Sequence, residues 1–343
     1  MGVWPEVEAY LERGAQGETV PPDLRIKALD GLAFASIKAG SDHAASWLDQ
    51  MDALVAAHDL GAEERLRVGM KRVSLLAGQG DRRGTMRLVA DLTPVVKDLP
   101  PDHQRVFEYN VACAELALDN ADAAAERIEP LVNDYYELIG LTPDMVIGNN
   151  APDLARMLKK GVDVDDIKHL ADSLDMLARA RDAQGQPYPF ARIDALKFYG
   201  LACAPDSLFR VGQDLVDQFI NKRDFDGALN IMETIVLPQL RQWKLADYMI
   251  TVRSQYAVVL AYCERYSDAE AEMARLEPYE DSLPPLVQRE LEDQRKLIAK
   301  LRRHGPPPKW LPPPGLIESF ADHFGEAEAV PSIPRADSDH SGS

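Results

Sequence analysis

The chain has 343 residues, 46% of them apolar and 27% charged, with a net charge of −18. This is the composition of a folded protein, with room for two ordinary domains or one elongated repeat array. Charge this negative argues against a nucleic-acid or anionic-membrane surface, since both need a concentrated basic footprint.

The opening stretch MGVWPEVEAYLERG lacks a basic segment followed by an apolar run, and position 6 is Glu6 rather than Ser or Thr. Neither a secretory signal nor N-myristoylation is therefore expected. From there to about residue 304 the apolar residues recur at spacings of three and four, and alternating β-branched runs are nearly absent, so the expected chain is all-α. Breakers at Pro21-Pro22, Gly40, Gly61, Gly78, Gly80, Pro100-Pro101, Gly140, Pro187, Pro205 and Pro284-Pro285 cut it into helix-length segments.

Three stretches repeat one arrangement: 109–131, 215–237 and 256–278. A small residue opens the second helix of each (Ala124, Ala228, Ala269), and large apolar residues follow about four and seven positions later. Only a small side chain lets two helices cross closely there. The segments RDFDGALNIM and ERYSDAEAEM, with aromatic–x–x–Ala and then Met232 or Met273, resemble the tetratricopeptide-repeat family. A weaker match lies at 32–51, with Ala44, Leu48 and Met51 in the second-helix places. Around Gly84 the pattern is degenerate, with Arg72 where a small residue belongs. The spacing Ala44–Gly84–Ala124 gives a period of about 40 residues, longer than the family's usual repeat.

That resemblance implies a right-handed α-solenoid of antiparallel helix pairs, in two sub-arrays. The expected divisions are repeats over 1–140, an irregular insertion over 141–162, and further repeats with a capping helix over 163–304. A proline-rich strap with a short amphipathic helix then covers 305–325, and an acidic, disordered tail 326–343. The resemblance also implies a concave face lined by the first helix of each pair. In this sequence its positions fall on Tyr109, Asn110 and Cys113, then Gln213 and Asp217, then Ser254, Gln255 and Val258. Amides, a tyrosine and carboxylates would suit a polar or basic peptide segment.

Chemistry is sparse. No HExxH, GxSxG or GKS/GKT motif occurs. Asp165, His169 and Asp172 share one helix face, which reads as a solvated acidic surface rather than a metal site. The glycine-rich GQGDRRG at 78–84 follows no strand and reads as a helix–helix turn. Cys113, Cys203 and Cys263 are widely spaced, the pattern of reduced thiols in a cytoplasmic protein. No catalytic residue, cofactor or metal is expected.

The strap PPPKWLPPPG carries Trp310, and Leu316, Ile317, Phe320 and Phe324 follow it on one helical face. Large exposed aromatics need covering, so these five residues form an expected docking segment, seated on the chain's own solenoid, a partner or a second copy. The expected function is a non-enzymatic interaction scaffold binding a protein or peptide partner. The alternative is a sensor whose solenoid binds a peptide or small ligand and acts through a partner. Neither reading involves nucleic acid or a membrane.

Overall fold

The computed structural model describes residues 5–17, 19–186, 189–244 and 246–309. Among these residues there is no strand, and the chain is a succession of helices. The first seven are α1 (Pro5–Gln16), α2 (Pro22–Ala39), α3 (His43–His58), α4 (Gly61–Gly78), α5 (Arg82–Lys97), α6 (Pro101–Ala117) and α7 (Ala121–Ile139). Two short helices follow, α8 (Pro143–Val146) and α9 (Ala151–Met157), and then three longer ones, α10 (Val164–Ala183), α11 (Pro189–Leu201) and α12 (Pro205–Asn221). The last five are α13 (Phe225–Ile231), α14 (Leu237–Trp243), α15 (Ala246–Tyr262), α16 (Tyr266–Ala274) and α17 (Pro285–His304). Prolines stand where helices begin, at the first position of α2, α6, α12 and α17, because the orphan N–H they lack is not needed there.

One turn recurs. After α2, α4, α6, α12 and α15 a residue takes the left-handed conformation: Gly40, Gly80, Asp119, Arg223 and Glu264. In each case the next amide donates to the carbonyl five residues back, as in Asp81 N to Leu76 O and Asp224 N to Phe219 O, both at 2.9 Å. This is the Schellman arrangement, which satisfies carbonyls that the ending helix leaves orphaned. The left-handed residues are 40, 39 and 41 positions apart within the two runs, so the long period is built into the backbone. Glycine supplies the conformation without strain at Gly40 and Gly80. Asp119, Arg223 and Glu264 adopt it against the usual steric preference of a Cβ-bearing residue.

The turn also sets the register of the helix that follows. In DRRGT (81–85) the Asp81 carboxylate accepts from Gly84 N at 2.9 Å, and in DFDGA (224–228) Asp224 accepts from Gly227 N at 2.9 Å. The two N-caps are superimposable motifs. Gly84 is therefore the counterpart of Gly227, and the buried small position is the next residue. Thr85 is 1% exposed, beside Ala124, Ala228 and Ala269 at 0%. The expected placement of Gly84 in that position is off by one residue. Nor does Arg72 break the pattern: it points outward and pairs with Asp49 and Asp52. The close approach falls to Gly69, where a Cβ would meet the Leu92 methyls at 2.6 and 2.7 Å. A second offset arises at Met232–Val236, a π-helical turn that adds a residue, so that Val236 rather than Ile235 is buried.

The described residues fall into two compact units. One comprises the chain up to Leu215 together with Ile231–Val252, and the other Val216–Asn230 with the chain from Arg253 onward. In the first, successive helices pack on one another, and the first helices also form a row: α2 touches α4, α4 touches α6, and α6 touches α10. The irregular segment after Gly140 belongs to this packing. Val146 and Leu154 are fully buried, Asn150 caps α9 by accepting from Asp153 N, and Lys197 Nζ holds the Val146 carbonyl at 2.9 Å. In the second unit α16 packs on α17, and Tyr266 donates its hydroxyl hydrogen to the Leu301 carbonyl at 3.1 Å.

Candidate groove and pocket on the first helices

Counting back from each left-handed turn residue aligns the first helices with one another. Positions ten, nine and six before the turn are Asp30, Gly31 and Phe34 on α2, and Met70, Lys71 and Ser74 on α4. On α6 they are Tyr109, Asn110 and Cys113, the three residues expected there from sequence. A groove of about 680 Å³ crosses these helices, and Asp30, Phe34, Met70, Lys71, Ser74 and Asn110 all line it.

Its floor is apolar: Leu66 and Met70 are nearly buried, Val106 is 38% exposed, and Phe34 stands up from it at 55%. Two ammonium groups sit over the Phe34 ring, Lys71 Nζ at 5.2 Å from the centroid and Lys38 Nζ at 5.6 Å. Cations are drawn to the negative face of an aromatic ring, so both the ring and the lysines are held in place. Lys71 also pairs with Asp30 at 3.2 Å. The rim carries Glu63, Arg67, Asp102 and His103, charges of both signs.

Beside the groove at α6 lies a smaller cavity of about 190 Å³, and Val106 and Asn110 line both. Its walls are Tyr109, Tyr135, His169, Asp172 and Ser173. Asp172 takes a hydrogen bond from Tyr199 OH at 2.8 Å and an ion pair from Lys168 at 2.7 Å. The His169 ring packs against Tyr135, with centroids 5.8 Å apart. The Asp165–His169–Asp172 face is thus not uniformly solvated, because Asp172 and His169 turn toward tyrosines.

Burial dominates the electrostatics here. Desolvation, reinforced by the Asp172 and Asp175 charges, pushes the Tyr109 and Tyr199 phenols well above their ordinary range. Desolvation also pushes the Cys113 thiol up to about 11, so it is no nucleophile near neutrality. Deeper in, Asp175 and Arg192 form an ion pair at 3.1 Å with both side chains 6% exposed. Burial raises the Asp175 carboxyl while Arg192 and Arg210 hold it down.

The other expected groove residues lie differently. Ser254 is 3% exposed and Val258 8%, both inside the packing of α15. Gln255 donates its Nε2 hydrogen to Asp217 Oδ1 at 3.0 Å. Gln213 is half-buried on α12. Phe34, Lys71 and Ser74 were missed from sequence because the weak first repeats were not aligned on their turns, although Gly40 and Gly80 mark the register.

The proline strap begins on the second unit. Lys309 Nζ bonds both carboxylate oxygens of Asp226, at 2.9 and 2.7 Å, and Pro306–Pro308 lie against Tyr262, Cys263 and Glu264. Trp310, Leu316, Ile317, Phe320 and Phe324 lie outside the described residues.

No protein-family model matches the chain, and no curated protein or solved structure does. Among the described residues, no helix is long and apolar enough to cross a membrane.

Proposed function

We propose that this protein is a non-enzymatic adaptor of the cytoplasm, a degenerate, long-period relative of the tetratricopeptide-repeat proteins. Its antiparallel helix pairs form a right-handed solenoid, with the repeats, insertion and capping helix divided at residues 140, 163 and 304. A segment of a protein partner lies across α2, α4 and α6, and the strap beyond Lys309 tethers a docking segment to the chain itself or to a second copy.

The observation that carries this reading is the groove. Three successive first helices line one continuous depression, through Asp30 and Phe34 on α2, Met70, Lys71 and Ser74 on α4 and Asn110 on α6, with Phe34 left 55% exposed over an apolar floor. A large exposed aromatic above such a floor is the mark of a covered surface rather than of a solvated one.

The test is photocrosslinking in cells from benzoylphenylalanine placed at position 34, with position 279 as control, because Tyr279 is 46% exposed on a 3₁₀ turn and is not among the residues that line the groove. The reading expects a discrete crosslinked protein from position 34 that is absent from position 279 and lost when Val106 is changed to Glu. Identical products from both positions would sink it.

A further inference from the structure

The small cavity beside Asn110 has a chemistry of its own. Ser173 lines it, is 0% exposed, and its Oγ has no hydrogen-bond partner among the described residues. A buried hydroxyl left alone costs free energy comparable to a lost hydrogen bond, so something that enters the cavity gains by meeting it. Asn110 donates its Nδ2 to the Val106 carbonyl at 2.7 Å, which leaves Oδ1 as the remaining acceptor of its amide. Asp172 is 17% exposed along its side chain. Tyr199 and Lys168 take one position on each of its oxygens, and a carboxylate has about four lone-pair sites, so capacity remains.

The lining is therefore rich in acceptors: a carboxylate, an amide oxygen, a serine hydroxyl and the Tyr109 phenol. An anion would meet a like charge there. An apolar group would leave Ser173 and Asn110 without partners. A group bearing several N–H donors and a positive charge satisfies all of them. His169 lines the cavity and Lys168 is paired with Asp172, so the nearest rival is a neutral donor, a carboxamide side chain.

We infer that this cavity receives a lysine or arginine side chain of the segment that lies in the α2–α4–α6 groove, its cation bonded by Asp172, Asn110 Oδ1 and Ser173 Oγ. The inference rests on the groove reading and names the feature of the partner that the groove selects.

The experiment is a phage-displayed random-peptide selection on the full chain, counter-selected on Phe34→Asp so that retained clones depend on the groove. Enriched clones are expected to share a basic residue at one fixed position. Exchange of that residue for citrulline (in place of arginine) or acetyl-lysine (in place of lysine), which remove the charge and keep only part of the N–H donor set, weakens binding by about tenfold on the parent protein. On Asp172→Asn, which retains an acceptor for Tyr199, the same exchange costs less than about threefold, because the charge partner has already gone. Ser173→Ala loses about threefold in binding, with a melting temperature that does not fall because the variant removes an unpartnered buried hydroxyl. Because the exchange is made in the peptide, the comparison stands even where a protein variant melts early. Clones that depend on Phe34 but carry no fixed basic residue overturn the inference and leave the groove reading intact, as does an equal citrulline penalty on parent and Asp172→Asn. Failure to select any Phe34-dependent clone overturns the groove reading and this inference with it.

Discussion

The same register positions fare differently in the two units. On α2, α4 and α6 they carry Phe34, Lys71 and Asn110, which line an open groove. On α15 they carry Ser254 and Val258, which are 3% and 8% exposed, and Gln255, which is bonded to Asp217. Register says which way a side chain points from its own helix. It does not say whether another helix lies over that face. Even within α6 the answer changes along the helix, since Asn110 faces the groove while Tyr109 and Cys113 are desolvated beside the acids of α10.

If this contrast between covered and open positions is right, substitutions should separate into classes. The largest effect belongs to the covered ion pair. Asp175→Ala leaves the Arg192 guanidinium buried without its carboxylate and should cost about 3–5 kcal/mol in urea unfolding, whereas the double change Asp175→Leu with Arg192→Met should cost much less. A double variant as unstable as the single one would mean that the pair is not the source of the loss.

Next comes the comparison itself. Ser254→Leu forces a large side chain into the packing of α15, and about 1–3 kcal/mol of destabilisation is expected. If melting shows no change, Ser254 is open and the two units do not differ.

The third effect is a pH dependence. Burial keeps the Tyr109 and Tyr199 phenols protonated far above 10.0, and the Cys113 thiol up to about 11, against ordinary values of 10.0 and 9.0. Above pH 9 the unfolded chain therefore releases protons that the folded chain keeps. Stability is fully present below these ordinary values and falls as the pH rises through them, by up to about 1.4 kcal/mol per pH unit for each group fully withheld. Tyr199→Phe lowers stability at neutral pH, because Asp172 loses a donor, but flattens the decline above pH 10. A variant with an undiminished slope would show that Tyr199 ionises freely in the folded protein.

The smallest effect is at the open groove. Phe34→Ala removes an exposed ring, so thermal stability should change by no more than about 0.5 kcal/mol while partner capture is lost. A larger loss of stability would show that the ring is a packing element.

Much of this molecule is local, and the local part was legible. Pro22, Pro101, Pro205 and Pro285 start helices because each fixes φ and needs no N–H partner. Gly40 and Gly140 end them because a left-handed residue costs glycine little. The small residues Ala124, Ala228 and Ala269 are buried where the spacing placed them. The errors in register were also local. The 40-residue spacing points to Gly84, yet the Asp81 cap assigns that glycine to the position before the crossing, and Thr85 is the buried residue. The place seven residues after Ala228 is Ile235, but Val236 is the buried residue, because a π turn adds a residue that no period of three or four anticipates.

The candidate site was legible only in part. Tyr109, Asn110 and Cys113 could be singled out by counting along one helix, but Phe34 and Lys71 required knowing that α2 and α4 lie beside α6 in the same row. Nor could any spacing show that Asp172 on α10 would meet Tyr199 on α11 and look into a cavity with Asn110. By itself the sequence determined the helices, their turns and their long period, because caps, glycine and proline act within a few bonds of themselves. Only the tertiary structure decided which faces are covered and which acceptors share a cavity, because coverage depends on side chains brought together from helices some sixty residues apart.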